Sequence, residues 1–269
     1  MTIHRALTIA GSAARGGAGI QADIKTFQER DVFGMSVITA IVATHPETKQ
    51  GIFPHSLEAI EAQFYTIIQD IGVDALKTGM LFSKDVIERV ATLLEESGTS
   101  NFVIDPVMFG KMGSQLLKDD AIETMKERLI PLAKIITPNM PEAARLIGVD
   151  KLYSVDELKE AAVMLHKLGP KFVLVKGGRL EGPAIDILYD GKSFTAFEAE
   201  RINTENTNGA GCTYSAAITA ELAKGKSVYE AVQIGKQFIT EAIRYSLSFK
   251  RGVGPTYHAA LRKYGVTTS

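Results

Sequence analysis

"ALTIAGSAARGGAG", Ala6 to Gly19, is the stretch on which the reading of the fold turns. Ala6–Ala10 is a short apolar run of strand type. Gly11–Gly19 is rich in glycine, and a helical pattern follows. A strand, a glycine turn and then a helix leaves unsatisfied backbone N–H groups at the helix start, the usual setting for binding a dinucleotide or a phosphate. The stretch fails two standard patterns. It is not G-x-G-x-x-G, and Gly17 occupies the place of the P-loop lysine. On this loop alone, a tight turn that packs helix closely on sheet is the simpler reading.

The same alternation continues outward. Strand-type runs fall at Val37–Ala43, Phe102–Val107, Lys134–Thr137 and Phe172–Lys176, with helical patterns between them. Ser56 precedes a helix with apolar Ile60, Phe64, Ile67, Ile68 and Ile71. Ser83 precedes another with Ile87, Val90, Leu93 and Leu94. "SVDE" (Ser154–Glu157) and "SVYE" (Ser227–Glu230) have the hydroxyl-to-carboxylate spacing of a capping box. Strands that alternate with helices need crossover connections, which predicts a mostly parallel sheet covered on both faces. "DILYDGKSFTAF" (Asp186–Phe197) departs from this, as two short runs around Asp190-Gly191 signal a hairpin. Beyond Leu222 the pattern is helical only, with Val228, Ala231, Val232, Gly235, Phe238, Ile239, Ala242 and Ile243 at helical spacing. The expectation is one α/β domain over residues 1–269.

Composition narrows the function. The 269 residues are 45% hydrophobic and 23% charged, enough for a sizeable core. Lys plus Arg (30) balances Asp plus Glu (31), which gives no basic surface for nucleic acid and no charge bias toward a membrane. No apolar run approaches the roughly 18 residues of a membrane span. "MTIHRALTIAGS" reads as a first strand rather than a signal peptide. A single cysteine cannot form an internal disulfide, so a reducing cytoplasm is the expected location.

That cysteine lies in "TNGAGCT", Thr207–Thr213, where a second glycine turn runs into a helix. N–H groups at a helix start carry positive partial charge, and glycines let an anion approach them. A thiol there is expected to have a lowered pKa, which suits Cys212 to act as a base or nucleophile. A buried, inert cysteine is the equal alternative. Hydrolysis through a Cys–His pair is weak, because His4, His45, His55, His166 and His258 lie in no local signature. One Cys and scattered His offer no zinc spacing. Other polar groups close strand runs: Asp105 in "FVIDPVM", Asn139 and Glu142 in "ITPNMPE", and Lys176 in "VLVKGG". Ligands gather at the carboxyl ends of parallel strands, so these residues are candidates to converge in one crevice. Carboxylates for Mg²⁺, a lysine for phosphate charge and backbone N–H groups for the transferring group suit phosphoryl transfer. Each has a plainer role as well: Asp105 shaping a turn before Pro106, Asn139 and Glu142 capping a helix, Lys176 a solvated strand end.

"GGAGIQADIKTF", "ALKTGM", "VIDPVM", "ITPNMPEA", "VKGG", "GAGCT" and "VGPTYH", in that order over about Ala6–Leu261, resemble the hydroxymethylpyrimidine and phosphomethylpyrimidine kinases of thiamine synthesis, a family that includes a pyridoxal kinase branch of Gram-positive bacteria. The resemblance implies a three-layer α/β/α ribokinase-like domain with a mostly parallel sheet and a small hairpin, often dimeric. It implies ATP with Mg²⁺ as phosphate donor and a hydroxymethyl group on a small heteroaromatic ring as acceptor. On matching positions, Gly209, Ala210 and Gly211 would form the anion hole and Cys212 the base. Asn139, Glu142, Lys176, Gly177, Gly178, Asp186, Gly211 and Lys236 would serve ATP, and Asp105 and Glu142 the metal. Gly11, Ala18, Asp23, Thr44, Met80, Val107 and Cys212 would line the ring pocket. Pyrimidine-acting members usually carry glutamine at position 44. Thr44, "FGMSVITAIVA" and "TAELAKGKSVYEAV" look more like the pyridoxal branch. Ala13, Asn208 and Gly110 depart from the family's usual Asp, His and flap Cys, and Arg15 alters the same N-terminal loop as Ala13. A B6-vitamer kinase is therefore the leading expectation and the pyrimidine kinase the second. A binding protein of this fold with little turnover is the third. A dinucleotide oxidoreductase rests only on the first glycine loop.

Overall fold

The computed structural model describes residues 3–110 and 116–266. The strands are β1 (Arg5–Ala13), β2 (Phe33–Val42), β3 (Ile52–Pro54), β4 (Ala75–Thr78), β5 (Phe102–Ile104), β6 (Ile135–Ile136), β7 (Phe172–Lys176), β8 (Ala184–Tyr189) and β9 (Phe194–Ala199). Among the described residues they form one sheet in the order β3-β2-β1-β4-β5-β6-β7-β8-β9. Pairing is parallel from β2 through β7 and antiparallel at β3, β8 and β9. The hairpin expected around Asp190-Gly191 is β8–β9.

The helices are α1 (Gly19–Glu29), α2 (Leu57–Asp70), α3 (Lys84–Glu96), α4 (Asp120–Thr124), α5 (Met140–Ile147), α6 (Val155–His166), α7 (Ala210–Ala223), α8 (Val228–Arg244) and α9 (Ala260–Tyr264). Strand residues alternate between two cores, because successive side chains point to opposite faces. Leu76, Ile104 and Val175 pack with α2–α6 residues such as Phe64, Leu94, Ala143 and Leu158. Ala75, Val103 and Leu174 pack with Phe27 of α1, Ile218 of α7 and Val232 of α8. The result is the three-layer α/β/α architecture expected from the resemblance. None of the described helices is long and apolar enough to cross a membrane.

Capping follows the sequence signals in part. Ser56, Ser154 and Ser227 each accept a hydrogen bond from the third residue of their helix. Ser227 and Glu230 complete the reciprocal box. Glu157 instead takes the N–H of Tyr153, so only half of the box expected at Ser154 forms. Ser83 sits at the N-cap of α3 without a side-chain cap.

Two strands lie outside the runs read from the sequence, β3 and β4. β4 is central, yet it is only four residues long and carries Lys77 in its middle. The run read as Phe102–Val107 leaves the sheet after Ile104, where Pro106 lacks the N–H needed to continue the ladder. β1 instead continues past its expected end, through Gly11 to Ala13, with a register shift between Ala10 and Ser12. Ser12 then pairs with Gly19, and Gln21 accepts the Ala13 N–H at 2.8 Å. The first glycine loop is thus a strand extension folded tightly on the start of α1. At Gly19 (φ 58°) a side chain would run into the Gly11 carbonyl.

Candidate active site

β1 pairs with β2 on one side and β4 on the other; β1 connects to β2 and β4 connects to β5, so the connections leave the carboxyl ends of these two neighbours in opposite directions. Such a switch point opens a crevice. The polar ends of β4, β5 and β7 and the start of α7 meet beside it.

Asp105, directly after β5, is the hub. Its Oδ1 accepts from Thr137 Oγ1 at 3.1 Å and from Lys176 Nζ at 3.2 Å, and its Oδ2 accepts from Ser215 Oγ at 3.1 Å. Burial raises the cost of its charge, but the ammonium groups of Lys176 and Lys77 outweigh this and hold its pKa below the usual carboxylate range. Lys176 ends β7, and a Cβ added at Gly211 would lie 3.2 Å from its Nζ. The lysine thus joins the β5 carboxylate to the start of α7. Burial opposes its charge, yet Asp105 and Glu142 keep its pKa raised.

Asn139 and Glu142 form a full capping box on α5. Asn139 Oδ1 accepts from Glu142 N–H at 3.0 Å, and Glu142 Oε2 accepts from Asn139 N–H at 2.9 Å. The plainer role holds for both, and it leaves Glu142 buried near Asp105. Burial first, and Asp105 in addition, push the Glu142 carboxyl up to about 7 against the pull of Lys176.

α7 begins at a left-handed N-cap, Gly209 (φ 78°), where a side chain would collide with the Gly17 carbonyl. The two glycine loops therefore touch, which neither shows by itself. Thr213 N–H makes the first bond of the helix, to Gly209 at 2.8 Å, and Ala210 N–H turns back to Thr207 at 3.2 Å. Among the described residues, the N–H groups of Gly211 and Cys212 donate no hydrogen bond. Cys212 is half-buried. The lowered thiol pKa expected at a helix N-terminus does not occur. Burial, with Asp23 and Asp105 nearby, pushes the thiol up to about 11, against the opposing pull of Lys77 and of the Gly19 N–H.

The residues expected to line a ring pocket are placed unevenly. Gly11 and Met80 meet, since a Cβ on Gly11 would lie 2.6 Å from the Met80 methyl carbon. Ala18 caps α1 and Val107 follows Asp105, both half-buried. Thr44 lies past β2 and is exposed. Asp23 is fully buried with both oxygens occupied, by Thr8 Oγ1 at 2.7 Å and Lys77 Nζ at 2.8 Å. On the expected nucleotide side, Asp186 pairs with Lys236 at 2.6 Å and accepts the Gly177 N–H at 3.1 Å. Gly178 is exposed and its carbonyl accepts from Arg201. Of the "VMFGKMG" segment, Lys111–Gly113 lie outside the described residues. Gly110 is half-buried.

Sequence reasoning missed the supports. Lys77, Thr8, Thr137 and Ser215 fix the carboxylates, and the only signal was a lysine inside the apolar "ALKTGM". His258, which lies in no local sequence signature, is also drawn to this region. Its Nε2 lies 3.1 Å from Thr213 Oγ1, one residue beyond the thiol. Burial and the ammonium of Lys25 bring the imidazole down to about 4, against Glu29. A histidine held neutral contributes stability that is complete above its unfolded value near 6.5 and is lost as pH falls toward 4. Acid titration of stability should therefore show a loss across that window. A His258→Gln chain should lack this component, and identical acid profiles would contradict it.

Comparison with known proteins fixes the family. A profile of the phosphomethylpyrimidine kinase family matches residues 14–257. The chain belongs to this family. It is 50% identical to pyridoxine kinase of Bacillus subtilis over 266 residues, 97% of this chain and 98% of that one. It is 45% identical to the hydroxymethylpyrimidine/phosphomethylpyrimidine kinase of the same organism over the full length of both. Pyridoxal kinase of Staphylococcus aureus, solved with AMP-PCP and pyridoxal, superposes with a TM-score of 0.92 at 39% identity, covering 99% of this chain and 97% of that one. This member is accordingly a small-molecule kinase of the vitamin type.

Proposed function

We propose that the protein transfers the γ-phosphate of ATP to the hydroxymethyl group of a B6 vitamer, pyridoxal or pyridoxine. The carrying observation is the joining of Asp105, Lys176 and the open N–H groups of Gly211 and Cys212 in one crevice. Backbone donors there favour the charge that develops on a transferring phosphoryl group, and their fixed position avoids reorganisation during the reaction. Lys176 meets the phosphates, while Asp105 and Ser215 hold the lysine and the helix start in register. In this reading Cys212 takes the proton of the attacking hydroxyl. Asp186, Lys236, Gly177 and Gly178 lie on the nucleotide side of this reading.

Mg²⁺ belongs to the same proposal. Asp105 and Glu142 are hard oxygen donors that repel one another even with the ammonium of Lys176 beside both, a setting that a divalent cation relieves. Their oxygens already accept from Thr137, Ser215, Lys176 and Asn139, so they fit a hydrated ion held through its waters. Such an ion would neutralise phosphate charge.

For the ring, Thr44 supports the B6 reading. A hydroxyl cannot offer the paired donor and acceptor of a carboxamide to an aminopyrimidine edge, and a site loses discrimination when such a partner is missing. The full-length match to a pyrimidine kinase favours the second reading, in which the pyrimidine alcohol or its monophosphate is the acceptor. A cytoplasmic homodimer is part of the first proposal, and light scattering reads the pairing. The deciding experiment is ADP release with Mg-ATP and, in turn, pyridoxal, pyridoxine, hydroxymethylpyrimidine and ribose. Turnover of the two B6 vitamers is expected. Turnover of ribose alone, or tight ring binding without ADP release, would overturn the proposal.

A further inference from the structure

The chain after α8 returns to the start of α7 and grips it at two points. Asn208, directly before the loop, forms a short parallel bridge with Pro255. Its N–H donates to Gly254 O at 3.1 Å, and its carbonyl accepts from Thr256 N–H at 3.3 Å. One turn into α7, the Thr213 hydroxyl lies 3.2 Å from Thr256 Oγ1 and 3.1 Å from His258 Nε2. Gly209–Cys212 are suspended between these two anchors. All three side chains of the second anchor are buried, Thr213 completely.

The gripping segment is itself held. Leu247 N–H donates to Pro255 O, Tyr257 N–H to Ala242 O, and Gly254 N–H to Asn206 Oδ1. From the other side of the helix, Ser215 binds Asp105. A β-branched Thr213 with two buried partners has little rotamer freedom, so its position fixes the backbone one residue before it.

We infer that Gly254–His258 is a positioning strap for the anion loop, and that His258, through Thr213, sets the alignment of the Gly211 and Cys212 N–H groups without touching substrate. The inference rests on the proposed role of the α7 start as the phosphate site. Displacing a reacting group by about 1 Å costs on the order of 10²-fold in rate. His258→Phe keeps a flat ring and removes Nε2. Its kcat should fall by about 10- to 100-fold while KM for the ring substrate changes little. His258→Gln, whose amide reaches the place of Nε2, should recover most of the loss. In the His258→Phe/Thr213→Val chain the two losses should not multiply, because both remove the same contact.

A second readout does not need turnover. Alkylation of Cys212 by iodoacetamide at fixed pH should change rate in His258→Phe and return toward the parent in His258→Gln. Parent values of kcat and alkylation in a folded His258→Phe chain would overturn the inference. So would multiplying losses, or a fall in thermal stability alone. If His258→Phe does not fold, His258→Gln and Thr213→Val carry the same comparisons. A parent without kinase turnover would sink the phosphate reading, while the alkylation shift would still decide the strap.

Discussion

Replacing Cys212 by alanine is expected to lower kcat by roughly 10²–10⁴ with nucleotide affinity largely kept. That range equals about 2.7–5.4 kcal/mol of transition-state stabilisation. It follows from assigning Cys212, in the proposed reaction, the removal of one proton. The thiol pKa of about 11 adds a direction. Near neutrality Cys212 holds its own proton, so the fraction able to act as base grows about tenfold per pH unit. kcat should therefore climb by up to about tenfold per pH unit from about pH 7 to about pH 9, below the thiol value. An aspartate in its place ordinarily ionises near pH 4, so Cys212→Asp should move the climb to lower pH. A Cys212→Ala chain with parental kcat would return this residue to the inert reading.

Lys77→Met should cost about 3–5 kcal/mol of stability. Lys77 and Asp23 are both fully buried, with 2.8 Å between Nζ and Oδ1. Losing the lysine leaves a carboxylate out of water with Thr8 as its remaining neighbour by hydrogen bond. Domains of this kind are stable by only about 5–15 kcal/mol, so the single change is severe. Replacing both partners by apolar groups of similar volume is often neutral, so Asp23→Leu/Lys77→Met should regain most of the loss. Urea midpoints at constant m measure this. A single variant within about 1 kcal/mol of the parent would show that the pair carries no buried charge to protect.

The architecture was legible where apolar periodicity is strong. β7 matches its run residue for residue, and α2, α3, α6 and α8 begin directly after the serines that precede their apolar patterns. It was hidden where the site intrudes. β4 breaks its apolar pattern with Lys77, because that lysine serves a buried carboxylate on α1 that is 54 residues away in the chain. Local patterns carry no such distant partners. The same holds for Ser215, which reads as an ordinary helix residue until Asp105 is placed against it. The pKa of Cys212 was misread for a related reason. The helix start was visible in sequence, but the burial that outweighs it, and the carboxylates of Asp23 on α1 and Asp105 after β5, come from elsewhere in the chain.

The identity of the alcohol that receives phosphate is the central question for this kinase. Pyridoxal and hydroxymethylpyrimidine at equal concentration, in one vessel with Mg-ATP and a limiting amount of the protein, give products that separate by mass. The expected result is phosphorylated pyridoxal in excess, with one ADP formed per product. An excess of phosphorylated pyrimidine would contradict the B6 assignment, and neither product would contradict the kinase itself.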